Sequence, residues 1–421
     1  MQALLGIIRG YSLVLAATLV LVNFAAAEQY TITGQGAMTL GLPGGFAGLV
    51  NPNTGAFYTA DPYGLGPSFA FEVVLDTGAS GCLLSQTIAG SEMLNIPTTG
   101  ETYSDVGIGG VEEFYVSQPT RLMLAPMSFS VYDVDNEIDN TENPAYYSAR
   151  GEYKFQIRQE DPVMFGMYPV AINIVGTPVL NQYVMHVKPN SVPYSTLIPT
   201  IDYMETELLT AMPNDLPGGV FRVPLHYQDF VNDPNVPVST GKNPVIPGVR
   251  VVDDRRGPND QSAPSDWLFD TGGSLSIIGR NMATAIGIDL ENEDPVITQS
   301  VMGVGGDQRL LFGYQVDKLV IPLAGGNELV FQDVVLFVPE EGALPADLPG
   351  IFGMNMIGSS FSELDPVFGF PLDFQESPFS DWYVNPGDGT WGELVLVIPE
   401  PGSWVLLWFA VAAFAIRRLF P

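Results

Sequence analysis

The chain has 421 residues and carries 47 acidic against 16 basic side chains, a net charge of −31. So few cations exclude ordinary nucleic-acid binding, which needs Lys and Arg against phosphates, and the acidity suits a soluble monomer in neutral or saline water. A single cysteine, Cys82, excludes an internal disulfide, yet two domains of ordinary size bury enough core without one.

From the amino end, Arg9 precedes an apolar run over residues 13–22, and Ala25-Ala26-Ala27 offers a small-residue cleavage site before Glu28. That is the pattern of a secretory signal peptide over residues 1–27. Beyond it, short β-rich runs at 30–32, 71–75, 129–131, 170–175, 220–225 and 334–338 alternate with Gly, Pro and Asn. With 45 Gly and 35 Pro and little helical periodicity, the expectation is an all-β fold. A short helix is expected over 282–288. Two stretches read as long surface loops: the acidic, Asn-rich 132–160 and the Pro-, Asp- and Asn-rich 232–266. In the first, Asp133, Asp135, Glu137 and Asp139 alternate like calcium ligands. Ile138 stands where an EF-hand needs Gly and the closing Glu is missing, so a solvated loop is favoured. Cys82 reads as a small buried hydrophobe, and His186 and His226, the two histidines, as surface or packing residues. With two histidines no His-rich zinc site is expected, and no phosphate-binding loop or serine elbow occurs.

The concentrated chemistry is a repeated tripeptide. Asp76-Thr77-Gly78 is followed by Ala79-Ser80, and Asp270-Thr271-Gly272 by Gly273-Ser274; each is fed by an apolar run. One such tripeptide arises by chance about 0.1–0.2 times in a chain of this length, and a lone aspartate there is usually a turn former. The surroundings repeat too. Gly107-Ile108-Gly109-Gly110 begins 29 residues after Gly78, and Gly303-Val304-Gly305-Gly306 begins 31 after Gly272. Basic-aliphatic strands at 121–126 and 318–323 follow, and the halves close on Ile174-Val175-Gly176 and Ile351-Phe352-Gly353. Repetition at this scale indicates two matching lobes rather than a solenoid. Two carboxylates at strand ends, each before a Gly that permits a tight turn, suit a pair that shares one proton.

Over residues 65–360 these paired motifs resemble the bilobal, pepsin-like aspartic proteases, with glycine clusters closer to retropepsin flaps. The resemblance implies two six-stranded-barrel-like lobes with the active-site cleft between them, one catalytic aspartate from each, Asp76 and Asp270, and no cofactor or metal. It further implies support from Thr77, Gly78, Ser80, Thr271, Gly272 and Ser274, and a flap at Gly107, Ile108, Gly109 and Gly110. Tyr103 sits just before that cluster and Tyr115 just after it, and the resemblance assigns the flap-tyrosine role to neither. The substrate would be a polypeptide in extended conformation. A second reading stays open, a catalytically degenerate protease fold acting as an extracellular matrix or surface binding protein.

At the carboxyl end Pro399-Glu400-Pro401 precedes an apolar stretch at 404–416, then Arg417-Arg418. This resembles the PEP-CTERM sorting tag, which implies an exosortase-type partner, export to the cell envelope or exterior, and transient or permanent membrane attachment. The expected organisation is signal peptide 1–27, amino-terminal lobe 28–200, carboxy-terminal lobe 201–396 and sorting segment 397–421.

Overall fold

Phe71–Leu75 and Ser265–Phe269 are the strands that lead into the two Asp-Thr-Gly loops. Val73, Val74 and Leu75 are all buried, as are Trp267, Leu268 and Phe269. Successive strand residues point to opposite faces, so both faces are covered, which is why these runs are continuously apolar rather than alternating. Each strand is also flanked on both edges. Phe71–Leu75 pairs antiparallel with Leu42–Val50 and parallel with Ile174–Val175. Ser265–Phe269 pairs antiparallel with Asn243–Val252 and parallel with Gly350–Phe352. The two halves thus repeat one arrangement, and each aspartate leaves the end of a central strand.

The computed structural model describes residues 29–60, 70–107, 110–126, 147–148, 151–164, 168–169, 171–191, 203–216, 219–231, 233, 235–257, 260–302, 308–341, 348–363 and 371–399. The expected signal peptide, the lobe boundary near residue 200, the acidic repeat 133–139, the strand 129–131 and the sorting segment beyond Pro399 lie outside them. The chain is nearly all-β. Among the described residues 22 strands join in one hydrogen-bonded system, with two further two-stranded sheets. No helix among the described residues is long and apolar enough to cross a membrane.

The first glycine cluster falls at a hairpin, whereas the second, at 303–306, lies outside the described residues, between two paired strands. The first hairpin is Thr98–Gly107 with Gly110–Ser117, and the second is Ile297–Met302 with Gln308–Pro322. The halves exchange strands. Gln29–Thr33 runs parallel to Glu328–Pro339, and Tyr203–Leu209 runs parallel to Leu42–Val50. Val184–Lys188 lies between Tyr203–Leu209 and Asp381–Asn385, and Trp391–Val397 continues that sheet to Val220–Gln228. One connected core spans the halves, with Leu75, Met204, Trp267, Phe269 and Trp382 among its members.

Three expectations need correction. Residues 132–160 do not form a surface loop throughout, because Tyr147–Ser148 and Gln156–Arg158 are strands and Tyr153, Phe155 and Ile157 are buried in the core. Residues 232–266 do not form a loop throughout, because Asn243–Val252 is a strand. Pro247 and Gly248 lie in a register shift between Ile246 and Val249, and Gly248 has φ +76°. A bulge of this kind tolerates Pro and Gly inside a strand, and it hid the apolar series Val245, Ile246, Val249, Val251, all buried. Of the expected strand 170–175, only Ile174–Val175 is a strand among the described residues of that run. The expected helix forms over Arg280–Ala285 and ends before Gly287, whose φ is +99°.

Candidate active site

The two aspartate loops are held by the same contacts. The Asp76 N–H donates to the Val175 carbonyl at 3.0 Å, and the Asp270 N–H donates to that of Phe352 at 3.1 Å. Gly176 and Gly353 follow those carbonyls. A Cβ at Gly176 would lie 1.9 Å from the Gly81 carbonyl oxygen, and one at Gly353 2.2 Å from that of Leu275. The apolar-apolar-Gly triplets are therefore glycine-ended because each loop folds back onto them.

Those glycines also explain the cysteine. The Gly176 N–H donates to Cys82 Sγ at 3.4 Å, and the Gly353 N–H donates to Ser276 Oγ at 3.0 Å. Cys82 stands six residues after Asp76, as Ser276 does after Asp270. Burial pushes the Cys82 thiol up to about 12, so it stays protonated and unreactive. Cys82→Ser is expected to change stability by less than about 1 kcal/mol in thermal unfolding, because the hydroxyl accepts the same N–H. Cys82→Val leaves that buried N–H unpaired and is expected to cost about 1–3 kcal/mol.

The threonines lock the loops to each other. The Thr77 N–H donates to Thr271 Oγ1 at 3.0 Å, and the Thr271 N–H donates to Thr77 Oγ1 at 3.1 Å. Each hydroxyl then donates across to the opposite strand, Thr77 to the Phe269 carbonyl at 2.7 Å and Thr271 to the Leu75 carbonyl at 2.6 Å. Both side chains are almost fully buried. Four buried hydrogen bonds between the halves set the distance between the two aspartates.

That distance is short. The Asp76 and Asp270 side chains are hydrogen-bonded to each other. A Cβ at Gly78 would fall 2.5 Å from the Asp270 carboxyl carbon, and one at Gly272 2.4 Å from that of Asp76. Each glycine makes room for the opposite carboxylate. Asp76 Oδ1 accepts the Gly78 N–H at 2.7 Å and the Ala79 N–H at 3.0 Å, and Asp270 Oδ1 accepts the Gly272 N–H at 2.9 Å. Burial raises both carboxyls above the ordinary range. Asp270 stands well above it, because the Asp76 charge adds to burial. Two carboxylates this close cannot both ionise, so the pair holds one proton.

The other expected site residues are placed as follows. Ser80 Oγ donates to Asn243 Oδ1 at 2.7 Å, whereas Ser274 offers its backbone carbonyl to the Thr39 N–H at 2.8 Å. Gly107 and Gly110 pair at the end of the first hairpin, and Gly110 has φ +104°; Ile108 and Gly109 lie outside the described residues. Val106 and Val111 flank that tip at 61% and 70% exposure. Asp105, on the same strand, accepts from Gln156 Nε2 at 2.7 Å, and Gln156 in turn lies 3.2 Å from where a Cβ at Gly81 would stand. The hairpin is thereby tied to the chain just past Asp76. Tyr103 is half-buried, its phenol pushed up to about 12 by burial and by Asp105 and Asp233, whereas Tyr115 is exposed. From the second hairpin, Arg309 Nη2 comes within 3.2 Å of where a Cβ at Gly110 would stand, so the two hairpins approach each other. His186 lies between Asp381 and Glu207, and His226 stacks on Trp391.

Sequence reasoning missed Asn243. It is fully buried, and its Nδ2 donates to the carbonyls of Thr77 at 3.0 Å and Gly78 at 2.9 Å. No local pattern marks it, since it sits beside Pro244 in a stretch that reads as loop.

No protein-family model matches the chain, and no curated protein matches its sequence. Among solved structures, it is similar to an aspartic proteinase from Irpex lacteus at 12% identity and a TM-score of 0.40, over 85% of this chain and 96% of that one.

Proposed function

We propose that the chain is an aspartic-type endopeptidase that hydrolyses peptide bonds with water activated by Asp76 and Asp270. The observation that carries this reading is the pair of mutually hydrogen-bonded, buried carboxyls, held in place by the reciprocal threonine bonds. Two raised carboxyls sharing a proton supply a base and an acid at one point.

In this reading the Asp76 carboxylate removes a proton from water as the oxygen attacks the scissile carbonyl carbon. Asp270 gives its proton to the carbonyl oxygen, forming a gem-diol. Asp76 then returns its proton to the amide nitrogen while a gem-diol hydroxyl returns one to Asp270; the carbonyl reforms, and the C–N bond breaks. The pair regains its starting state without a covalent intermediate. An extended polypeptide would lie beneath the first hairpin, whose tip around Gly107 and Gly110 closes over it and excludes water. The protein acts as a monomer, exported by its amino-terminal signal and held at the envelope through its carboxy-terminal segment, where an exosortase-type enzyme reads it.

The purified protein is expected to cleave an unfolded polypeptide somewhere between acid and neutral pH. New amino termini found by mass spectrometry check this, and a protein inert throughout that range sinks the proposal.

A further inference from the structure

The two aspartate loops are matched by a frame of backbone contacts that breaks at one residue. The Gly241 N–H donates to the Ser80 carbonyl at 2.8 Å, and the Thr39 N–H donates to the Ser274 carbonyl at 2.8 Å. Ser80 and Ser274 each stand four residues past their aspartate. Two residues on from these donors, one half has Asn243 and the other Gly41, which has no side chain.

The Asn243 amide reaches two particular peptide groups. The Thr77 carbonyl belongs to the same peptide unit as the Gly78 N–H, and the Gly78 carbonyl to the same unit as the Ala79 N–H. Those two N–H groups are the ones that donate to Asp76 Oδ1. Only the amide nitrogen can face two carbonyl oxygens, so the side-chain orientation is fixed, and Ser80 Oγ holds Oδ1 from the other end. The result is two relays, each running from Asn243 N–H through a peptide group to the Asp76 carboxylate. Hydrogen bonds in series polarise one another, which strengthens the terminal N–H donors. Among the described residues no side chain donates to the Thr271 or Gly272 carbonyls, so the Asp270 loop has no such relay.

The geometry points to Asn243 as the positioning residue that makes a near-symmetric pair unequal, holding the negative charge on Asp76 and so assigning it the role of base. This rests on the protease reading for the word base, but the charge bias exists whether or not the protein cleaves anything.

The test is a carboxyl titration of full-length protein labelled with ¹³C at aspartate Cγ, with the two signals assigned by their loss in Asp76→Asn and Asp270→Asn. In Asn243→Leu the lower apparent pKa of the pair is expected to rise by about half a unit to one unit. Ser80→Ala, which keeps the amide but loosens it, is expected to give a smaller rise. In a cleavage assay the acid limb of kcat should move the same way with KM little changed. A folded Asn243→Leu whose melting temperature falls while both apparent pKa values stay at wild type makes the residue merely structural and overturns the inference. Should that variant fail to fold, Ser80→Ala decides on the same reading. A wild type that never cleaves defeats the protease reading but leaves the titration to be judged by itself.

Discussion

Asp76→Asn and Asp270→Asn are each expected to lower kcat/KM by about ten-thousand-fold or more, the scale seen when one member of a tightly coupled catalytic group is removed. The two losses have different physical causes. An amide at 76 cannot accept the proton from water: its oxygen can keep the Gly78 and Ala79 N–H groups, but an NH2 group then replaces the other carboxylate oxygen. An amide at 270 keeps a donor toward Asp76 but holds no transferable proton. The double variant should lose little beyond either single one, because the pair works as a unit. Measuring kcat/KM on an unfolded polypeptide with all three variants checks this, and cleavage that persists unchanged in both single variants would sink the assignment of the dyad.

The second large effect concerns a methyl group. Gly78→Ala puts a Cβ 2.5 Å from the Asp270 carboxyl carbon, and Gly272→Ala puts one 2.4 Å from that of Asp76. Real Cβ atoms do not approach so closely, so the opposite carboxyl must move. It has little freedom to do so, since buried threonine bonds hold both loops. A displacement on the order of 1 Å at reacting groups costs about a hundredfold in rate, and that is the minimum expected of either variant. The fold should survive, as the strands entering each loop are untouched. A far-ultraviolet circular dichroism spectrum like that of the wild type, with activity lost, is the expected result; near-normal activity in either variant contradicts the geometry.

The dyad also links stability to pH, and the sign follows from the direction of the shifts. Both carboxyls are raised in the fold, so the native state holds the pair's proton more tightly than the unfolded chain does. That contribution is fully present below the unfolded value of about 4 and is lost as pH rises through the folded value. Asp270→Asn cannot ionise at 270. It is therefore expected to lose less stability than the wild type between pH of about 4 and neutrality. Denaturant unfolding at a series of pH values compares the two, and parallel curves would contradict the shared-proton picture.

How far the site was legible can be judged from particular residues. The aspartates, their threonines and their glycines stand in a local pattern written twice, and periodicity with turn chemistry was enough to put each copy at a strand end. The first hairpin was legible for the same reason, since a glycine cluster between β-rich runs marks a tight turn. The strand Asn243–Val252 was not, because a bulge at Pro247 and Gly248 gives it the composition of a loop. Asn243 was hidden with it, and nothing in one sequence says which buried amide will face which peptide group. Cys82 was correctly placed in the interior, but its partner, the Gly176 N–H, came from 94 residues away.

By itself the sequence determined two matched loops, the all-β class and the kind of chemistry two carboxylates at turns could do. Those follow from nearest-neighbour properties: backbone preference, alternation and the freedom of glycine. Tertiary structure alone decided that Thr77 and Thr271 lock across the halves, that each loop glycine faces the other half's carboxyl, and that Asn243 serves one aspartate and not the other. These contacts join residues 194 and 166 positions apart. At such separation the partner is chosen by how the sheets pack, a property of the whole chain that no local pattern encodes.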